Sequence, residues 1–343
     1  MKQILNTLYV QTQGAYLRLD HDTLQVEIEK QKALQVPLHH LGGITIFGNV
    51  LLSPFLIHRC AEDGRSLVWL TEHGRFKGRL SGHTTGNVLL RRAQHDALTQ
   101  PAKTLNISRY IVAGKLQNAR NILMRSAREA STDQDRTALS QAAEIHADSI
   151  RNAEKATDLE KLRGIEGYAA KAYFGAFTAM VRQNRSVFAF TERSRRPPKD
   201  PINALLSFVY TLLVSECVAA CEGVGLDPQM GYLHTLRPGR PALALDLMEE
   251  LRAPLADRLV LTLINRQQIT PNDFIDRPGG AIYLTKEGRT TVLTAYQKRK
   301  QEALFHSVID TKVPLGLLCH TQARLLARHL RGDIPTYPPF ILR

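Results

Sequence analysis

The strongest constraint on how this chain can fold is a change in its apolar rhythm after Asn87. Before it, Leu8-Tyr9-Val10, Ala15-Tyr16-Leu17-Arg18-Leu19 and Leu24-Gln25-Val26-Glu27-Ile28 alternate with period two around the polar corner Asp20-His21-Asp22. That alternation belongs to half-buried strands. Ile44-Thr45-Ile46-Phe47 and Ser66-Leu67-Val68-Trp69-Leu70 read as further strands, and residues 54–63 have helical length and stop at Gly64. Beyond Asn87, and after a breaker at Pro101, residues Ile111, Ala119, Ile122 and Leu123 share one helical face within 107–128. Further helices are expected near 137–160, 165–182, 202–221, 242–252, 255–265, 287–306 and 315–330. The expectation is an α+β chain: a small β-rich domain over 1–85, a connecting segment over 86–104, a larger all-helical domain over 105–330, and an extended tail over 331–343.

Several classes of function are excluded. There is no GxxxxGK[ST], no GxGxxG after a strand, no HExxH and no GxSxG, so nucleotide-driven, dinucleotide, zincin and α/β-hydrolase chemistries lack their usual signatures. The stretch from Ile202 to Cys221 is apolar, but it carries Asn203, Ser207, Thr211, Ser215 and Glu216, so it reads as a core helix and no membrane role is expected. The N-terminus has no apolar signal region, and Cys60, Cys217, Cys221 and Cys319 form no CxxC pair. A cytoplasmic, reducing location fits.

The formal net charge is +13, of which +3 falls in residues 1–97 and +10 in the remainder. Residues 105–128 carry Arg109, Lys115, Arg120, Arg125 and Arg128 with no acid, and 182–199 and 286–300 are also basic. Such runs neutralise phosphates or solvate a surface. Arg193, Arg195, Arg196, Lys199, Arg237, Arg240, Lys298 and Arg299 are the candidates for phosphate contacts, with 193–199 read as a loop. Tyr168, Tyr173 and Tyr232 read as packing residues rather than base-stacking ones.

Three segments carry candidate chemistry. Gly225 to His234 is a turn-rich loop that delivers a histidine. Asp246 and Glu249 stand at i and i+3 on the following helix, roughly 5–6 Å apart at Cβ. Two carboxylates that close repel unless a cation neutralises them, and a divalent metal is the economical cation. Glu166, in the first turn of another helix, adds a third acid. Each feature has a plainer reading: His234 as a hydrogen-bonded loop residue, the acids with Glu250 as a solvated helix face, and Glu166 as a partner of the positive helix end. Glu250, at i+4 from Asp246, would serve almost as well as Glu249.

Taken together, R-G-x-E-G at 163–167, D-P-x-N-A-L-L at 200–206 with Tyr210 beyond, G-L-D-P-x-x-G-x-L-H at 225–234 and D-L-M-E-E-L-R at 246–252 resemble the CRISPR-associated spacer-acquisition endonuclease and integrase, the Cas-one family. The four motifs occur in the family's order, and the likeness covers essentially the whole chain. It implies that Glu166, His234 and Glu249 bind a divalent metal and that Asp246 lines the same catalytic site. The ligand types suit Mg²⁺ or Mn²⁺, with zinc not excluded by donor chemistry. The resemblance further implies double-stranded DNA substrates (the captured prespacer and the CRISPR repeat), attack by a 3′-hydroxyl on a phosphodiester, a homodimer through the N-terminal domain, and a small ferredoxin-like partner, the Cas-two protein. The alternative is a non-catalytic DNA-binding scaffold.

Overall fold

The computed structural model describes residues 6–82, 88–194 and 197–342. They form two compact units, Met1–Thr85 and Gly86–Arg343. Arg195 and Arg196 lie outside the described residues.

The first unit contains β1 (Thr7–Val10), β2 (Tyr16–Asp20), β3 (Thr23–Ile28), β4 (Gln31–Pro37), β5 (Gly43–Phe47), β6 (Leu51–Leu52), α1 (Pro54–Glu62), β7 (Ser66–Leu70) and β8 (Phe76–Arg79). Two four-stranded sheets result, ordered β4-β3-β2-β6 and β1-β5-β7-β8. The expected corner at Asp20-His21-Asp22 joins antiparallel β2 and β3, paired from Tyr16 with Glu27 to Asp20 with Thr23. Leu17, Leu24, Ile44, Ile46, Leu56, Cys60 and Leu67 are fully buried between these elements. β4 was not legible as a strand, because it is an edge strand whose first five residues are exposed and carry no alternating core face.

The second unit is built on α2 (Val88–Leu98), α3 (Pro101–Arg128), α4 (Asp133–Glu154), α5 (Leu159–Gly175), α6 (Pro201–Val224), α7 (Ala242–Leu251), α8 (Arg258–Asn265), α9 (Lys286–Gln301) and α10 (Leu318–Arg331). Pro101 starts α3 instead of breaking it, since a first-turn N–H has no intrahelical partner to lose. α6 is long and apolar enough to cross a membrane, but most of it is buried inside the unit. Two hairpins interrupt the helices, β9 (Phe274–Arg277) with β10 (Ala281–Leu284) and β11 (Ala303–His306) with β12 (Thr311–Pro314). The helix expected to reach 306 therefore ends at Gln301, where Glu302 turns extended and Ala303–His306 pairs as a strand. Short apolar runs read alike in either conformation.

One irregularity sets up the site. Between α7 and α8 the helix widens into a π turn over Arg252–Asp257, which contains Pro254. Pro254 has no N–H to offer the Glu250 carbonyl four residues back, and Asn118 of α3 donates its Nδ2–H there instead, at 2.7 Å. The same amide group donates to the Phe340 carbonyl at 2.8 Å, and the Leu342 N–H donates to Asn118 Oδ1 at 2.7 Å. Residues beyond α10 thus run back across α3, with Tyr337 and Phe340 buried.

Candidate metal centre

Asp246 is the anchor of the histidine loop. Its Oδ2 accepts the backbone N–H groups of Tyr232 (2.6 Å) and Leu233 (3.0 Å), and its Oδ1 accepts the His234 N–H (3.0 Å) and contacts His234 Nδ1 (2.7 Å). An ionised carboxylate only accepts, so Nδ1 is a protonated nitrogen, and in the neutral imidazole Nε2 presents its lone pair. That face points at Glu249, whose Oε1 lies 3.6 Å from Nε2. Asp246 is fully buried and turned towards the loop. Its placement orients the imidazole in the manner of a carboxylate behind a ligand histidine.

The loop has little freedom around this anchor. A Cβ on Gly231 would lie 2.5–2.7 Å from the Ala242 carbonyl carbon, the Leu243 nitrogen and Asp246 Oδ2, so only glycine fits. Gln94 of α2 donates to the Asp227 and Met230 carbonyls and accepts the Asp227 N–H. Arg163 of α5 donates from Nε to the Leu233 carbonyl at 2.8 Å. The arginine of R-G-x-E-G therefore fixes the residue before His234, while Glu166 one helical turn later reaches the same site.

Glu166 and Glu249 meet on Lys115 of α3. The Lys115 ammonium is 2.6 Å from Glu249 Oε2 and also donates to Glu166 Oε1. Arg252 adds a second cation, 3.1 Å from Glu249 Oε1, and its guanidinium lies over the Tyr210 ring at 4.8 Å. The Tyr210 and Tyr173 hydroxyls donate to buried Asp257 at 2.6 and 3.0 Å. Burial by itself would push the Glu249 carboxyl up, but Arg252, Lys115 and His234 outweigh it and bring it down to about 2. Glu249 is thus a buried carboxylate whose ionised form is favoured by Arg252 and Lys115 beside it.

Glu250 faces the other way. It accepts from the Tyr337 hydroxyl, the Phe340 N–H and Gln322 Nε2, and burial raises its carboxyl to about 7. The i+3 and i+4 positions left open by spacing are thereby separated: one acid joins Glu166 and His234, the other secures the chain end.

Among the described residues no three acidic, histidine or cysteine side chains close into a ready-made coordination cage. Glu166 reaches Glu249 through Lys115. The donor set nevertheless fits a hard divalent cation, because two carboxylates and an oriented imidazole converge where the protein already holds a positive charge.

Of the candidate DNA contacts, Lys199, Arg237 and Lys298 are exposed, whereas Arg193 bonds Asn203 and Ser207 and Arg299 donates to Glu302 and the Pro254 carbonyl. Tyr173 and Tyr232 are packed as expected, but Tyr168 is 62% exposed. Sequence reading took Lys115 for one of several surface cations. The available signal was its setting, a single lysine inside the apolar turn Ile111 to Leu116. Gln94 and Arg252 as supports of the loop and of Glu249 carried no such signal.

Comparison with known proteins accounts for this arrangement. The family model described as CRISPR associated protein Cas1 matches residues 8–298. Over 343 residues the chain is 55% identical to CRISPR-associated endonuclease Cas1 1 of Moorella thermoacetica and 48% identical to that of Chlorobaculum tepidum, covering all of each protein. The structure of a CAS1 protein from Thermotoga maritima superposes with a TM-score of 0.79 at 25% identity, over 95% of this chain and 97% of that one. A casposase bound to integration product shares the fold, with a TM-score of 0.84 at 20% identity over 98% of this chain and 94% of that one. The chain belongs to the Cas1 family of divalent-metal-dependent CRISPR-associated endonucleases and integrases.

Proposed function

We propose that Glu166, His234 and Glu249 hold one Mg²⁺ or Mn²⁺, and that this centre joins the 3′-hydroxyl of a short captured duplex to a phosphodiester of the CRISPR repeat. The observation that carries the reading is the convergence of both carboxylates on a single cation beside His234 Nε2. The metal, when bound, would polarise the scissile phosphate and favour ionisation of the attacking hydroxyl. The rest is the work of the chain. Asp246 fixes the imidazole tautomer and direction, Arg163 and Gln94 hold the loop in register, and Arg252 keeps Glu249 ionised. Exposed Lys199, Arg237 and Lys298 neutralise phosphates, so binding is salt-dependent and largely independent of sequence. The chain works as a homodimer together with a small Cas2 partner; it shares its fold with the Cas1 part of a structure described as a Cas6-RT-Cas1–Cas2 complex. Exposed Leu51 and Phe55 in the N-terminal unit are the apolar residues that such a dimer would cover.

The test is strand transfer from a duplex with free 3′-hydroxyls into a supercoiled plasmid, with the partner present. Glu166→Ala, His234→Ala and Glu249→Ala should each abolish it in Mg²⁺ or Mn²⁺. Retained transfer in any of the three would remove that residue from the centre. A protein that scatters light only as a monomer at micromolar concentration would contradict the dimer.

A further inference from the structure

Lys115 stands where a metal would be expected to sit, and the fold holds its backbone there independently of its charge. Next to it, Gly114 packs so closely that a Cβ would lie 2.6 Å from Pro339, and one turn later Asn118 bonds both the Glu250 and Phe340 carbonyls. α3 is therefore held against α7 and the segment after α10 by neutral contacts besides the ion pair. The lysine side chain, in contrast, ends in four rotatable carbons and a point charge.

We propose that Lys115 is an internal counter-ion that competes with the divalent metal for Glu166 and Glu249, so that metal entry and displacement of the ammonium are one exchange. The proposal rests on the reading that these two acids are ligands. Lys115 lies between the two acids, on Oε1 of Glu166 and Oε2 of Glu249, and an ammonium and a metal ion cannot occupy the same point between them. Without a counter-ion, a carboxylate with 2% side-chain exposure would lie close to a second one, which repulsion and burial both disfavour. Lys115 removes that repulsion and holds the acids together until the exchange. The displaced ammonium stays on its tether, a positive charge beside the substrate phosphate.

An opposite role is physically coherent: the lysine could preorganise the two acids and so strengthen metal binding. The two roles predict opposite signs. Mn²⁺ affinity of the full-length protein, measured by electron paramagnetic resonance without DNA, separates them. Lys115→Met should bind Mn²⁺ on the order of ten-fold more tightly, the reciprocal of losing one charge-assisted hydrogen bond. Lys115→Arg, which keeps the cation and can fork to both acids, should bind no more tightly than the unaltered chain. Glu166→Gln should bind more weakly. Unchanged or weakened affinity in Lys115→Met, with Glu166→Gln weakened, would overturn the competition and leave the ligand reading intact. Equal gains in Lys115→Met and Lys115→Arg would also overturn it. Unchanged affinity in Glu166→Gln would instead overturn the ligand reading on which the proposal rests. Thermal unfolding without Mn²⁺ supplies a second readout: Lys115→Met should melt lower than the unaltered chain and recover the difference as Mn²⁺ is added. A melting point that is already unchanged without Mn²⁺ would contradict the counter-ion role.

Discussion

Replacing Asp246 by asparagine should destabilise the catalytic unit and disable the site together. Four donors converge on its two oxygens, two on each: the N–H groups of Tyr232 and Leu233 on Oδ2, and the N–H and Nδ1–H of His234 on Oδ1. An amide keeps one oxygen and puts an NH₂ where the other was, so two buried donors lose their acceptor in either orientation. Each unsatisfied donor costs about 1–3 kcal/mol, which gives roughly 2–6 kcal/mol for Asp246→Asn. At about 2–4 °C per kcal/mol for a unit of this size, the melting point should fall by roughly 5–20 °C. If the amide turns its oxygen to the loop backbone, His234 loses its orienting acceptor and strand transfer falls as well. Urea titration monitored by circular dichroism, alongside the transfer assay, measures both. An unfolding free energy within about 0.5 kcal/mol of the unaltered chain, with the slope unchanged, would refute the anchoring role.

The two adjacent glutamates should separate cleanly. Glu249→Gln should lose Mn²⁺ binding and strand transfer, while Glu250→Gln should keep the Mn²⁺ affinity and lose about 1–3 kcal/mol of stability at its contacts with Tyr337, Gln322 and Phe340, read by urea titration. Asp257 gives a pH signature. Burial raises its carboxyl from 3.8 to about 6 against the opposing hydrogen bonds of Tyr210 and Tyr173. A folded value above the unfolded one means that the native state holds the proton longer. Its contribution therefore falls as pH rises from about 4 to 6 and is level above that, a loss of up to about 3 kcal/mol. Asp257→Asn should cancel this slope, so the stability difference between variant and unaltered chain should shift in the variant's favour over that window. A difference that is flat with pH would contradict the shift.

How much of this was legible beforehand follows from where the interactions lie along the chain. The β2–β3 meander, α1 and most helices of the second unit announce themselves through local periodicity and caps, such as Ser53 accepting the Leu56 N–H before Pro54. β4 and the hairpin β11–β12 did not, because an exposed edge and a four-residue apolar run carry no local signature. Glu166, His234, Asp246 and Glu249 were visible as motif residues. The family resemblance assigned their roles, but the contacts that hold them were not legible, since they span wide separations: Lys115 with Glu166 is 51 residues apart, and Asn118 with Phe340 is 222. Glu250 could be told from Glu249 only once the chain end was seen to fold back over α3. Lys115 itself was read as a surface cation because charge runs carry no information about which member turns inward.

Where a divalent ion settles tests the metal centre most directly. Crystals of the full-length protein soaked in Mn²⁺ should show an anomalous peak in coordination contact with Glu166, Glu249 and His234 Nε2, with the Lys115 ammonium moved off both carboxylates. A peak beside Glu250, or an undisturbed Lys115 bridge with manganese bound elsewhere, would contradict it.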